Sequence, residues 1–451
     1  MSAAKKLDSQ TINYKAMKKA TLLIILCAFS LTGMAQQRQL TLQECIAIAL
    51  ENNRNIQQQE LTRQSREIAF NQARADLLPN LNANAGHSFI FGRSIGIDNV
   101  YQNVNSQQTR FGLGSDITLF DGMRLRRNID ARRADIYASQ ADLERIQEDI
   151  IISVSSAFLQ VLLNKELLQI AENQLAMTAA RIAQQTEMVE SGRLAQNELI
   201  ELQAQQAREV MNRVQAENSL KLALLDLAQI MEMDCLGDFG IVAPAIETLI
   251  NEGVLLSATA IFENALLNRP EIQGTQFRLQ SREYELRMAR AQYIPTLSLG
   301  TNIGTGYFNM GGRENASFSH QFRNNRSTSV GFNLRVPIFN RFQVRNNISH
   351  ARLAVESSRI EMDRTRAELR QRIERAYLSA LGAQSRWQAA QKSEMASREA
   401  FRLIEQRFES GRANSFELFL AQNNLTQVLA EQAQAKYEFA FRIKILELLK
   451  K

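Results

Sequence analysis

The chain is written twice. Ala73-Arg74-Ala75-Asp76-Leu77-Leu78-Pro79-Asn80-Leu81 aligns with Ala289-Arg290-Ala291-Gln292-Tyr293-Ile294-Pro295-Thr296-Leu297. Further on, Leu119-Phe120-Asp121 aligns with Ile338-Phe339-Asn340, Glu190-Ser191-Gly192-Arg193 with Glu409-Ser410-Gly411-Arg412, and Glu198-Leu199 with Glu417-Leu418. The offset drifts only from 216 to 219. Matches kept in order over such a distance mean duplication, and a duplication constrains the architecture before any element is assigned. Whatever parts the first copy folds into, the second must supply again.

Each copy reads as a moderate helix, a β-hairpin, a very long helix, a glycine-containing turn and another moderate helix. The first copy occupies 41–231 and the second 258–449. Residues 232–257 join them; with Gly237, Gly240, Pro244 and Gly253 they read as irregular. Residues 123–190 contain neither glycine nor proline, and as one helix these 68 positions would span about 100 Å. Val154, Val161, Leu168, Leu175, Ile182 and Val189 recur at intervals of seven, with Ala157 and Ala171 close by. That is a heptad seam with small neighbours, which permits close helix contact. The second copy has Ile373, Ala380, Trp387, Glu394, Phe401 and Phe408 there, a looser seam broken at Glu394. Helices over 41–77 and 197–231 hold 37 and 35 residues, so end to end they match one long helix.

The hairpins argue against an ordinary bundle in water. Four segments, about 80–91, 109–120, 296–308 and 328–339, alternate with period two. One face carries Ala83, Ala85 and Phe89; then Phe111, Leu113 and Ile117; then Leu297, Leu299 and Ile303; then Val330, Phe332 and Leu334. The other face is rich in Gly, Asn and Ser, which suits a wet lumen better than a packed core. Each run has the length of a tilted transmembrane strand. Aromatic residues gather near the ends, Phe89, Phe91 and Tyr307 at one and Phe120 and Phe339 at the other, as an interfacial girdle would require. The alternative is a soluble sheet packed on the helices. Four strands cannot enclose a channel, and open edges cannot face lipid, so membrane-spanning strands demand oligomerisation. The hairpin loops (about 92–107 and 309–327) are polar and should face outward, away from the helices.

Composition supports an exported protein. Met17-Lys18-Lys19, the apolar stretch 21–31 and the small residues Gly33 and Ala35 read as a signal segment, cleaved after Ala35. The sixteen residues before Met17 have no signal character, so translation is expected to begin at Met17. Loss of 1–35 removes four from the formal charge of +6, leaving +2, and gives no case for nucleic-acid binding. No later run of 18 apolar residues stands out, so any membrane passage should be a β-barrel. Cys27 lies in the signal; Cys45 and Cys235 could pair in an oxidising compartment or stay as two buried thiols. The three histidines, His87, His320 and His350, are dispersed. No cluster has metal spacing, and no glycine loop joins a strand to a helix as nucleotide binding needs. No enzyme, cofactor or metal site is expected.

The duplicated order, the Leu78-Pro79 and Ile294-Pro295 junctions and the two Glu-Ser-Gly-Arg turns resemble the outer membrane efflux protein, or TolC-like, family from Thr41 to about Leu449. The resemblance implies an α+β membrane protein: long coiled-coil-like helices in a periplasmic α-barrel, and four transmembrane strands per chain closed into a 12-stranded barrel in a homotrimer. It implies an outer-membrane exit duct that passively receives cargo from an inner-membrane pump (RND, ABC or MFS type) through a periplasmic adaptor (membrane fusion) protein. Outer-membrane lipid would meet Phe111, Leu113, Leu297, Leu299, Val330, Phe332 and Leu334. The turns Ser191, Gly192, Arg193 and Ser410, Gly411, Arg412 would dock the adaptor; their glycines also suit a left-handed helix C-cap. By position, Glu198 and Glu417 match the acidic periplasmic gate. Repeated threefold they would favour cations, or each could simply stabilise the first turn of a helix. Two departures count against a family-style lock: Leu420 stands where a second acid is expected, and Ala413 where a basic residue is. The competing reading is a secreted periplasmic coiled-coil structural protein without a pore.

Overall fold

The structure, a computed structural model, describes residues 38–95, 99–103, 105–192, 195–233, 239–243, 257–311 and 314–450. The signal segment 1–35, Cys235, Arg193 and most of the linker 232–257 lie outside these residues.

In chain order the elements are β1 (Arg38–Leu40), α1 (Leu42–Asn52), α2 (Arg54–Ala75), β2 (Asn82–Ile90), β3 (Arg93–Ile95), β4 (Tyr101–Asn103), β5 (Ser106–Phe120), α3 (Arg124–Glu190) and α4 (Gln196–Ile230). The order continues with β6 (Phe239–Ile241), α5 (Ala258–Asn268), α6 (Pro270–Ala291), β7 (Thr296–Met310), α7 (Phe318–Asn324), β8 (Ser327–Arg335), α8 (Gln343–Glu409) and α9 (Ser415–Lys450). The two long helices have 67 residues each.

The moderate helices differ from expectation. Each first one is two helices. The break in the second copy falls at Arg269 (φ −66°, ψ 128°), just before Pro270. Proline lacks an N–H and drives the preceding residue to extended backbone, which accounts for that break. In the first copy Asn53 takes a similar conformation (φ −62°, ψ 121°) without a following proline. Both copies start on a side-chain cap. Thr41 Oγ1 accepts from the Glu44 N–H at 3.3 Å, and Glu44 Oε2 accepts from the Thr41 N–H at 2.8 Å, a reciprocal capping box. Ser257 caps α5 through the Ala260 N–H at 3.3 Å.

The chain forms two compact units, and each draws on both repeats. One unit comprises the described residues up to Asn53, those of 150–243 and Ala380–Lys444. Here β1 and β6 pair in parallel, so the linker expected to be irregular supplies one short strand, β6, to a partner that precedes the first repeat. Its core contains Val154, Phe158, Val161 and Leu162 of α3 with Leu227 and Met231 after them in the chain. Val154 and Val161 of the heptad seam are buried; Leu168, Leu175, Ile182 and Val189 are only half-buried. Polar residues Asn164, Gln174, Thr178 and Gln185 are buried instead. One 18-residue window of α3 is apolar enough to cross a bilayer by composition alone, contrary to the sequence reading. It belongs to the helix that supplies this core, and 33% of the window is buried in the chain.

The other unit comprises Arg54–Asp149, Val254–Ser379 and the chain from Ile445 onward. It carries a four-stranded antiparallel sheet in the order β2-β5-β7-β8. Its registers put the expected apolar residues on one face: Leu113 lies opposite Ala83 and Ile303, and Leu299 opposite Ile117 and Phe332. The face is open, with Phe332 72% and Val330 66% exposed. β8 stops at Arg335 rather than near 339, two residues before Pro337, which cannot donate to a ladder. The second hairpin loop is less polar than its composition implied. Its short helix α7 places Phe322 on Phe111 and Phe318 on Tyr307, with centroids 5.6 and 5.4 Å apart. Phe318 and Phe322 are four residues apart, so they share one helical face and cover the end of the apolar surface.

Candidate gate and docking turns

Long helix α3 ends in a left-handed glycine. Gly192 has φ +71°, and its N–H donates to the Val189 carbonyl at 2.9 Å. The second turn repeats this at Gly411 (φ +69°): its N–H donates to Phe408 O at 2.9 Å, and the Arg412 N–H to Arg407 O at 2.7 Å. Those two bonds make a Schellman motif, which satisfies carbonyls that the helix leaves free. A Cβ at either glycine would meet nothing within 4 Å. Glycine is therefore required there by backbone angle and not by crowding. Ser191 and Ser410 hydroxyls donate back to Met188 O and Arg407 O, both at 3.0 Å.

Both acids open the helix after a turn. Glu198 lies in the first turn of α4, and the Ser415 hydroxyl donates to its Oε2 at 2.8 Å. The two repeats thus meet at one of the expected gate residues. Glu417 lies in the first turn of α9, where its N–H donates to Asn414 Oδ1 at 2.8 Å. Arg407 Nη2 stands 4.0 Å from Glu417 Oε2. The nearest cation to Glu417 among the described residues is thus an exposed arginine at the outer limit of an ion pair. It comes from the helix before the turn and not from position 413, because the turn folds α8 back beside the start of α9.

Beside the turns lies a buried polar layer that the apolar seam did not announce. Glu209 is 3% exposed. Its Oε1 accepts from Gln174 Nε2 at 3.0 Å and from Gln205 Nε2 at 2.9 Å. Thr426 donates to Gln174 Oε1 at 2.7 Å, and Arg181 donates to Gln422. Arg181 also stands over the Phe401 ring at 6.0 Å. Burial pushes the Arg181 guanidinium below its ordinary value, against the pull of Glu405 and Glu209. A cavity of about 430 Å³ is lined by Arg181, Gln185, Glu209, Glu405, Ala413 and Gln422, among others. Gln185 Oε1, Glu209 Oε2 and Gln422 Nε2 are buried without a partner. A signal for this layer was present: Asn164, Ala171, Thr178 and Gln185 also recur at intervals of seven.

The two Gly turns are 219 residues apart and each ends a 67-residue helix, on a chain that also carries a sheet with an open apolar face. The outer membrane efflux protein family model matches such a chain twice, over residues 45–231 and 261–442. The chain belongs to the outer membrane efflux protein family. Protein CyaE of Bordetella pertussis (strain Tohama I) is 26% identical over 428 residues, 91% of this chain and 83% of that protein. Outer membrane protein TolC of Escherichia coli (strain K12) is 22% identical over 437 residues, 94% of this chain and 84% of that protein. Among solved structures, that of CusC superposes with a TM-score of 0.77 at 17% identity, covering 90% of this chain and 91% of that one. This member of the family is thus an exit duct of the Gram-negative outer membrane, serving efflux or secretion. The poreless structural protein is set aside.

Proposed function

We propose that the duct is a homotrimer whose twelve strands close one barrel and whose helices line a periplasmic tunnel. It passively conducts cargo handed over by an inner-membrane pump (RND, ABC or MFS type) through a periplasmic adaptor. The observation that carries this is the sheet. Strands β2 and β8 each have one hydrogen-bonding edge without a partner strand among the described residues, and the apolar face between them is exposed. An open edge is excluded from hydrocarbon, so copies must pair β2 with β8. Leu113, Leu297, Leu299, Val330, Phe332 and Leu334 then face lipid, while Phe111, expected beside them, lies against Phe322 of α7.

In this reading Glu198 and Glu417 line the gate, with Ser415 and Arg407 holding them in place. The turns Ser191, Gly192, Ser410, Gly411 and Arg412 dock the adaptor, together with Arg193, which lies outside the described residues. The exposed glycines support this, since a surface that needs no side chain there leaves room for a partner.

The test pairs the sheet edges. Single cysteines in place of Ala85 in β2 and Thr328 in β8, in a chain without its native cysteines, should cross-link between copies. The product in outer-membrane fractions should be a trimer of chains on denaturing gels. A soluble monomer, or cross-links confined within one chain, would refute the closed barrel. Cross-linking from Ser410 in cells should capture the adaptor.

A further inference from the structure

Both repeats pass from strand to helix through the same strained backbone. In the first copy Gly122 and Met123 both have φ +68°. In the second, Arg341 and Phe342 stand 219 positions later with φ +52° and +63°. Glycine takes this conformation readily; methionine, arginine and phenylalanine do not. Such strain kept at matched positions points to what the turns present.

They present apolar side chains beside cations. Ile338 is 93%, Phe339 74% and Phe342 59% exposed, and Phe120 and Met123 are each 48% exposed. The register brings the two turns to one end of the sheet, since Phe120 pairs with Leu297 and Leu297 with Leu334. With strands about 4.8 Å apart, the turns are about 10 Å from one another. Arg124, Arg126 and Arg127 follow the first turn, and Arg345 follows Arg341 in the second.

The local acids do not neutralise this charge. Asp121 faces Arg124 at 3.6 Å, and Asp130 is shared between Arg127 at 3.6 Å and Arg133 at 3.8 Å. Neither Arg126 nor Arg341 has a carboxylate partner among the described residues. Arg345 stands over the Phe342 ring at 5.9 Å. No acidic residue occurs anywhere from Asn315 to Val355. In the first copy Met123, Arg126, Arg127, Ile129 and Asp130 line a groove of about 370 Å³.

We infer that this end of the sheet is a binding belt for anionic glycerophospholipid, resting on the reading that the strands cross the membrane. The apolar side chains enter the acyl boundary, and the guanidinium forks of Arg126, Arg341 and Arg345 hold headgroup phosphates. The belt lies where helices begin, so its lipid comes from the periplasmic leaflet, and it fixes the depth of the duct.

The test reconstitutes the full mature protein in vesicles of phosphatidylethanolamine, alone or mixed with phosphatidylglycerol. Native mass spectrometry then counts the lipid that stays bound after gentle solubilisation. The wild type should retain phosphatidylglycerol in preference. The triple variant Arg126→Gln, Arg341→Gln and Arg345→Gln should lose that preference on the order of fivefold per arginine, while circular dichroism stays unchanged. A triple lysine variant should keep much of it, because the charge remains. Equal retention by wild type and glutamine variant, or no preference in the wild type, would overturn the belt while leaving the channel intact. Failure of the wild type to insert into either vesicle would overturn the membrane reading and the belt with it.

Discussion

Glu209 offers a measurement of what the buried polar layer contributes. Replacing it with valine copies the second repeat, which has Val428 at the matched position, itself buried. The change removes the two hydrogen bonds that Glu209 Oε1 accepts from Gln174 and Gln205. Gln205 is half-buried and can turn to water, but Gln174 is 9% exposed and its amide N–H would be stranded. A stranded buried donor costs about 1–3 kcal/mol. Against that, the variant relieves a buried carboxylate whose Oε2 already lacks a partner. The relief leaves the expected net loss for Glu209→Val in the lower part of that range, about 1–2 kcal/mol. Adding Gln174→Leu removes the stranded group, and Thr426 keeps its second acceptor, Gln422 O at 3.0 Å. The double variant should therefore return to within about 1 kcal/mol of wild type, a coupling typical of contacting residues. Trp387, the one tryptophan in the chain, stacks on Phe439 at 5.3 Å in the same unit and reports unfolding by fluorescence in guanidinium. A double variant as unstable as the single, or a single variant at wild-type stability, would show that the Gln174–Glu209 bond is not what holds this layer.

Other consequences follow from single side chains. Glu417→Ala should lower cation preference in planar bilayers several-fold if Glu417 lines the gate; unchanged selectivity would leave it only a helix-start role. Leu113→Arg and Phe332→Arg should each cut the assembled protein in outer-membrane fractions, since a cation at the bilayer midplane costs about 2–4 kcal/mol. Wild-type levels of both would count against lipid contact. Gly411→Ala should destabilise the turn by about 1–2 kcal/mol through its left-handed backbone, seen as faster protease nicking, and Gly411→Asn by less. Cys45 is fully buried with a free thiol, and burial pushes that thiol up to about 11. In a Cys235→Ser background it should resist maleimide until the protein unfolds; rapid native labelling would contradict its burial.

Much of the fold was legible because two periods dominate the sequence. The period of two placed Leu113, Leu299 and Phe332 on one sheet face, and pairing between strands keeps that face aligned. The period of seven and the absence of glycine and proline from 123–190 marked the first long helix, and the repeat carried it to the second, which runs on through Gly382. The breaks at Asn53 and Arg269 were harder to see. Pro270 was visible, but its effect in the second copy has a counterpart at Asn53 that no residue type announces. The acid at 417 was placed by the repeat, yet its partner Arg407 comes from across a turn, and only the Schellman geometry brings the two together.

The polar layer shows the limit most clearly. Apolar periodicity identified Val154 and Val161, but it continued to Ile182 while the buried positions became Thr178 and Gln185. A search for buried residues that looks only for apolar ones follows the wrong stripe there. Comparison between repeats does better. Asn164, Gln185 and Glu209 stand opposite Ala383, Ile404 and Val428 at the constant offset. The second copy shows that the fold accepts apolar or small residues at these places. Polar groups in the first copy are thus not imposed by the architecture. Near the turn that carries Glu198, Gln185 Oε1 is buried without a partner, and a stranded buried group lowers the local stability of the helices around it. Gln185→Ile, which copies the second repeat, should accordingly stabilise the helical unit and, if Glu198 lines the gate, reduce channel opening in planar bilayers. Stabilisation with unchanged opening would separate the layer from the gate.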